Sequence, residues 1–202
     1  MADIIKVTDR VSYIKATEKP LSADVGIVEG DESVWIFDVG ADESVPISLN
    51  KIPKAKNAVI SHFHPDHMSN LEYVDLNEVY LGANTFKYAK RGTVVDKDVF
   101  IDDGITIHIF PLPSSHAKGS LAMCVDGICF LGDAAYPGYK LGKKYHNANF
   151  LRSLVDFLKM IDSEEVFYSH EKNPVKTKEV ILGVLESIQA NWREEKGLLF
   201  KK

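Results

Sequence analysis

Three histidines and an aspartate fall within six residues of this chain, His62-Phe63-His64-Pro65-Asp66-His67, directly after the short run Ala58-Val59-Ile60-Ser61. That run is strand-sized. Side chains two apart on an extended segment point the same way, so His62 and His64 face one ion from one side. Asp66 and His67 fall past the Pro65 break and face elsewhere, where they can serve a second ion. One window thus holds two half-built metal sites, and a fold must bring the missing ligands from far along the chain. Three candidates each end or follow a predicted strand: His116 in Ser114-Ser115-His116-Ala117-Lys118-Gly119-Ser120, Asp133 in Phe130-Leu131-Gly132-Asp133, and His170 in Val166-Phe167-Tyr168-Ser169-His170. Loops held at the ends of a rigid sheet are where such sites are built.

The rest of the sequence fits that demand. The spacing predicts strands over 6–16 and 25–39, with breaks at Thr8-Asp9-Arg10 and Gly30-Asp31-Glu32, and shorter strands at 57–61, 79–81, 105–110 and 166–169. Helices are expected at 43–51, 66–75, 84–91, 149–161 and 175–192. Each half of the chain begins with strands and goes on to strands mixed with helices. A helix with one apolar stripe must cover a sheet, so helices are expected on the outer faces of two sheets. With 202 residues, and no repeat or linker, one domain over 1–202 is expected. No apolar run approaches the ~20 residues of a membrane span. The first residues lack the basic start and long apolar core of a signal peptide. A net charge of −5 speaks against nucleic acid as a partner, which wants a basic face. Two cysteines and no signal peptide point to a reducing, cytoplasmic setting.

Taken in order, Asp38 after a strand, His62-x-His64-x-Asp66-His67, His116, Gly132-Asp133 and His170 resemble the metallo-β-lactamase superfamily of binuclear metallohydrolases, over most of the chain. The resemblance implies an αββα four-layer sandwich and two divalent ions, with zinc favoured and iron or manganese as the other options. It implies that His62, His64 and His116 hold one ion and that Asp66, His67 and His170 hold the other. Asp133 would bridge both, and Asp38 would orient the site without ligating. The activity it implies is hydrolysis by a bridging hydroxide, on a small ester, lactone or thioester. A phosphodiesterase, or an iron-dependent oxidoreductase of the persulfide-dioxygenase kind, is the alternative. Asp66 would steer the hydroxide and take its proton. Tyr136, three residues past Asp133, resembles the tyrosine of the lactone-cleaving branch, which reaches the substrate carbonyl or leaving oxygen.

Departures narrow the reading. An aspartate, Asp133, stands where true β-lactamases of the superfamily carry cysteine, which argues against β-lactams as native substrates. Met68-Ser69-Asn70 follows the window where the family has small residues, and packing is the expected role of Met68. Lys118 replaces a common proline and is read as a surface lysine, with an anion contact as the other option. From Ala134 to Val155 there is no acidic residue, and Lys140, Lys143, Lys144 and Arg152 interleave with Tyr136, Tyr139, Tyr145 and His146. This segment reads equally as a loop closing over an anionic small-molecule substrate and as a solvated face. His108, in mid-strand, reads as structural. Finally, 120–125 and 128–132 flank Asp126-Gly127 as a hairpin, which pairs Cys124 with Cys129 across a narrow, non-hydrogen-bonded rung. A cross-strand disulfide is geometrically open there, while two reduced, core-packing cysteines are the favoured expectation.

Overall fold

The computed structural model describes residues 1–140 and 142–201. Two large sheets pack face to face, with helices on both outer sides, the expected αββα arrangement. The first sheet runs, edge to edge, Ile4–Lys6, Val11–Ile14, Val25–Glu29, Ser33–Phe37, Ala55–Ile60, Glu78–Leu81 and Thr93–Val94. Its first four strands pair antiparallel and the rest parallel. The second sheet runs Val99–Asp102, Thr106–Leu112, Ser120–Val125, Ile128–Gly132, Glu165–Tyr168 and Val175–Thr177. Only the pair Ile128–Gly132 with Glu165–Tyr168 is parallel, and helix Ala148–Met160 lies in the crossover between them.

Strand alternation builds the layers. In Ser33–Phe37, Trp35 and Phe37 point between the sheets, where they meet Ile107, Ile109, Met123, Phe130 and Phe167. Val34 and Ile36 point outward and join Leu49, Ile60, Leu71 and Leu81 under helix Ser44–Leu49. On the other side Phe110, Leu131 and Val166 meet Leu151, Leu154, Leu158, Ile181 and Leu185 from helices Ala148–Met160 and Lys178–Asn191. Asn147 caps the first of these helices, its side-chain oxygen accepting from the Asn149 and Phe150 amides. Met68 packs against the outer core of the first sheet, as its apolar side chain predicts.

Several elements differ from expectation. The helix expected over 66–75 is a single turn, Pro65–Met68, followed by a 3-10 turn at Ser69–Glu72. The buried Asn70 amide donates to the Val39 and Asp42 carbonyls, and this tie to neighbouring loops competes with continuing the helix. The last helix begins at Lys178 rather than Val175, because Val175–Thr177 adds an edge strand to the second sheet. Four further strands, unanticipated from the sequence, form a small sheet in the order Gly138–Lys140, Lys143–Asn147, Leu198–Phe200, Arg193–Glu195. Its C-terminal hairpin turns at Lys196-Gly197, both with positive φ (50° and 77°), matching the 51° and 77° of Asp126-Gly127.

The Asp126-Gly127 hairpin has the expected register, with Cys124 opposite Cys129. The expectation of two reduced thiols is corrected: Cys124 and Cys129 form a disulfide. Across this narrow rung the Cα atoms lie 4.0 Å apart, so the two sulfurs leave the same sheet face within bonding reach.

Candidate metal centre

The site forms where strand ends of both sheets meet. His62 follows strand Ala55–Ile60, and Asp66 and His67 lie on the turn after it. His116 comes from the loop after Thr106–Leu112, Asp133 directly follows Ile128–Gly132, and His170 lies two residues past Glu165–Tyr168. All seven residues expected as ligands converge, in two groups: His62, His64 and His116, and Asp66, His67, Asp133 and His170. Within each group one ligand atom per residue lies within 4.8 Å of the others.

In the first group His64 Nδ1 sits 3.0 Å from both His62 Nε2 and His116 Nε2. In the second, Asp66 Oδ2 is 3.1 Å from His170 Nε2 and 3.5 Å from His67 Nε2. Asp133 Oδ2 lies 3.4 Å from His67 Nε2, 3.7 Å from His170 Nε2 and 3.3 Å from His116 Nε2. It therefore faces both groups. Gly132 makes this approach possible: its φ is +53°, and a Cβ there would meet the Ser61 side chain at 2.7 Å.

Asp38 and Ser61 aim one imidazole of each group. Asp38 is fully buried with a φ of 62°, and Oδ2 stands 2.7 Å from His67 Nδ1. The Asp38 carboxylate accepts here, so His67 Nδ1 carries a proton and Nε2 is the ring atom that faces the centre. The Ser61 amide donates to Asp38 Oδ1 at 2.7 Å and its hydroxyl to Oδ2 at 2.8 Å. With that proton committed, Ser61 Oγ accepts from His62 Nδ1 at 2.9 Å, which frees His62 Nε2. His116 Nδ1 faces the Pro137 carbonyl at 3.3 Å, leaving Nε2 for the centre. The expected orienting role of Asp38 thus has a geometric basis. Ser61 is an orienting residue that the sequence reading passed over, because a serine beside a histidine motif carries no signal of its own.

Electrostatics separate the groups. Burial and the neighbouring imidazoles push His62 well below its ordinary value, and burial with His116 pushes His64 down. Burial also works against His67, but the Asp38 and Asp133 carboxylates together overcome it and raise it well above the ordinary value. Burial opposes the charged form of His170 too, and its hydrogen bond to Asp66 raises it. Burial pushes Asp66 and Asp133 up, yet the His170 contact of Asp66 and the His67 contact of Asp133 hold both below the ordinary carboxylate value.

The donor set fits divalent ions. His67 Nε2 and Asp133 Oδ1 are buried without a hydrogen-bond partner among the described residues. Nitrogen and carboxylate donors at two adjoining points suit zinc, iron or manganese.

The centre opens into a cavity of about 820 Å³, lined by His64, Asp66, His116, Asp133 and His170 at its floor. Lys15, Thr17, Glu18 and Leu21 form one wall, Tyr136, Glu171 and Lys172 the other. Tyr136 stacks on Tyr168, and its hydroxyl donates to the Ser169 carbonyl at 3.0 Å, with Glu171 Oε1 at 3.4 Å. Burial, with Glu171 and Asp133 nearby, raises its pKa, so it remains a phenol. The basic segment is placed elsewhere. Lys140, Lys143 and Lys144 are exposed on the small-sheet hairpin, Lys144 over the Tyr139 ring, and none lines the cavity. His146 is buried opposite Leu199 and against Trp192. Lys118 is exposed away from the cavity, its carbonyl accepting from Asn84. No helix among the described residues is long and apolar enough to cross a membrane.

No protein-family model and no curated protein matches the sequence. Solved structures do. The DIM-1 metallo-beta-lactamase aligns with a TM-score of 0.74 at 17% identity, over 94% of this chain and 97% of that one. An archaeal metallo-beta-lactamase superfamily protein from Sulfolobus tokodaii aligns at 0.68 and 16%, over 94% and 90%. A chemotaxis sensor solved as a peroxy diiron species aligns at 0.67 and 14%, over 91% and 94%. Strand order, the four layers and these alignments agree that the chain has the metallo-β-lactamase fold.

Proposed function

We propose that the protein is a dinuclear metal-dependent hydrolase acting on a small ester, lactone or thioester. The observation that carries this is Asp133 Oδ2, within 3.7 Å of imidazole nitrogens from both ligand groups at the floor of one cavity. His62, His64 and His116 would hold one ion, Asp66, His67 and His170 the other, and Asp133 would join them. Two divalent ions held there would supply a water of lowered pKa and polarise an oxygen of the substrate. The chain's own residues do the rest. Asp66, ionised and open to the cavity, accepts the proton of the attacking water on a carboxylate oxygen. Tyr136 keeps its proton and can turn it from the Ser169 carbonyl to an oxyanion forming at the substrate. The walls at 15–21 and 171–172 carry charges of both signs, which favours a small polar substrate over a long apolar one.

A diiron neighbour favours one second reading, an iron-dependent oxidoreductase using the same groups. Metal analysis of the purified protein, followed by lactone, thioester, phosphodiester and β-lactam panels, separates the two. Two zinc ions per chain with lactone or thioester turnover supports the hydrolase. Iron with oxygen consumption and no hydrolysis overturns it.

A further inference from the structure

Asp24 is the one fully buried carboxylate besides Asp38 among the described residues, and no ligand role accounts for it. It sits between the strands Leu21–Ser22 and Val25–Glu29, behind the second ligand group. One oxygen accepts the Ala16 amide at 2.9 Å, and the other accepts the His170 amide at 2.9 Å. Both partners are functional in place. Ala16 begins the hairpin of Thr17–Glu18 and Leu21–Ser22 that walls the cavity. His170 has a φ of 64°, a left-handed conformation that costs a non-glycine residue free energy and needs outside support. The neighbouring Ala23 amide donates to the Asp66 carbonyl at 2.9 Å, so residues 23 and 24 hold the backbones of two ligands of the second group. No such contact runs from residues 23 and 24 to His62, His64 or His116. Across the cavity mouth, Lys15 Nζ donates to the Lys172 carbonyl at 2.7 Å, joining the same two segments again.

A buried carboxylate whose hydrogen bonds are to two amides, with His170 and Lys15 as the nearby cationic groups, is expensive to desolvate, so packing alone does not explain it. Charge-assisted bonds to amides do hold a backbone firmly. We propose that Asp24 is the positioning residue of the second ligand group, latching the cavity-wall hairpin to the backbone of His170 so that wall and ligand move as one piece. This rests on the dinuclear reading above, and it makes affinity at the second group depend on a residue that touches no ion.

The test uses the full chain, stripped of metal, as wild type, Asp24→Ala and Asp24→Asn. Zinc binding is read by equilibrium dialysis, and backbone amide exchange is read residue by residue. In Asp24→Ala the second zinc should weaken at least about 10-fold while the first stays within about twofold. The Ala16 and His170 amides should exchange at least about 10-fold faster while Ser61 is unchanged. Asp24→Asn keeps one acceptor oxygen, so one amide should stay protected and zinc affinity should fall between. If Asp24→Ala does not fold, the asparagine variant carries both readouts. Equal weakening of both zinc ions, or no change in either, overturns the latch. If wild type binds no second zinc, the dinuclear reading fails by itself. Amide exchange then still judges the latch: unchanged protection overturns it, and loss confined to Ala16 and His170 supports it.

Discussion

The two ligand groups adjoin each other but are made of different material. The first is three imidazoles, pushed towards neutrality by burial and by one another. The second mixes two carboxylates with two imidazoles that carboxylates raise against burial. A dication in the second group meets compensating negative charge at once. One in the first group depends on Asp133 reaching across from the other side. Supports differ as well. Asp38 and Ser61 serve both groups, whereas the backbone ties at residues 23 and 24 serve the second alone. Proximity of ligands along the sequence therefore says little about which ion they would hold, or how tightly.

The largest effect should come from Asp133→Ala, which removes what the groups share. Both ions should weaken, and turnover should fall by about 10³-fold; metal content per chain and kcat on a responsive lactone or thioester check it. His116→Ala cuts only the first group. It should lose one ion and leave the second within about twofold, and loss of both would erase the distinction. Asp66→Asn keeps the shape of the second group but lowers its charge and its basicity. It should lower kcat by about 10²-fold with little change in Tm, whereas parallel loss of Tm and activity would make Asp66 structural.

Acid release of the ions can compare the groups only while the fold survives, and His146 sets that limit. Burial holds it down at about 4, against 6.5 when unfolded, so between these values the unfolded chain binds the extra proton. The His146 contribution to stability is full above pH 6.5 and should be lost, up to about 3 kcal/mol, as pH drops to 4. Denaturant unfolding of the metal-free protein across that window, with His146→Phe as control, reads this directly. The smallest effect belongs to the lysines. Changing Lys140, Lys143 and Lys144 to Ser should shift KM by less than about twofold for anionic and neutral substrates alike, since none lines the cavity. A salt-sensitive rise for the anionic substrate alone would return them to the site.

The parts of this design that were readable from sequence are those with a local signature. The window at 62–67 and the Asp126-Gly127 turn state their geometry in a few residues, and alternation in Ser33–Phe37 marks both its faces. The strand Val175–Thr177 was not readable, because its apolar spacing merges with that of the helix after it and only pairing with Glu165–Tyr168 separates them. The C-terminal hairpin hid for a similar reason: its strands are short and mostly exposed, and they hold by docking on Lys143–Asn147. Asp24 and Ser61 act on backbone amides and ring nitrogens brought near by the fold. No residue pattern announces such contacts, so an acid bound for the interior looks like any solvated one.

Each ligand group draws on both halves of the chain, joining residues 62–67 to residue 116 in one group and to residues 133 and 170 in the other. A bound ion would then act as a removable cross-link, closing loops of some fifty to one hundred residues that the unfolded chain leaves open. Binding only to the folded form, it would add about 2.7 kcal/mol of stability at a free concentration 100 times its Kd. The availability of metal would thus govern how long the chain stays folded as well as how fast it turns over, and starvation for metal would expose it to proteolysis.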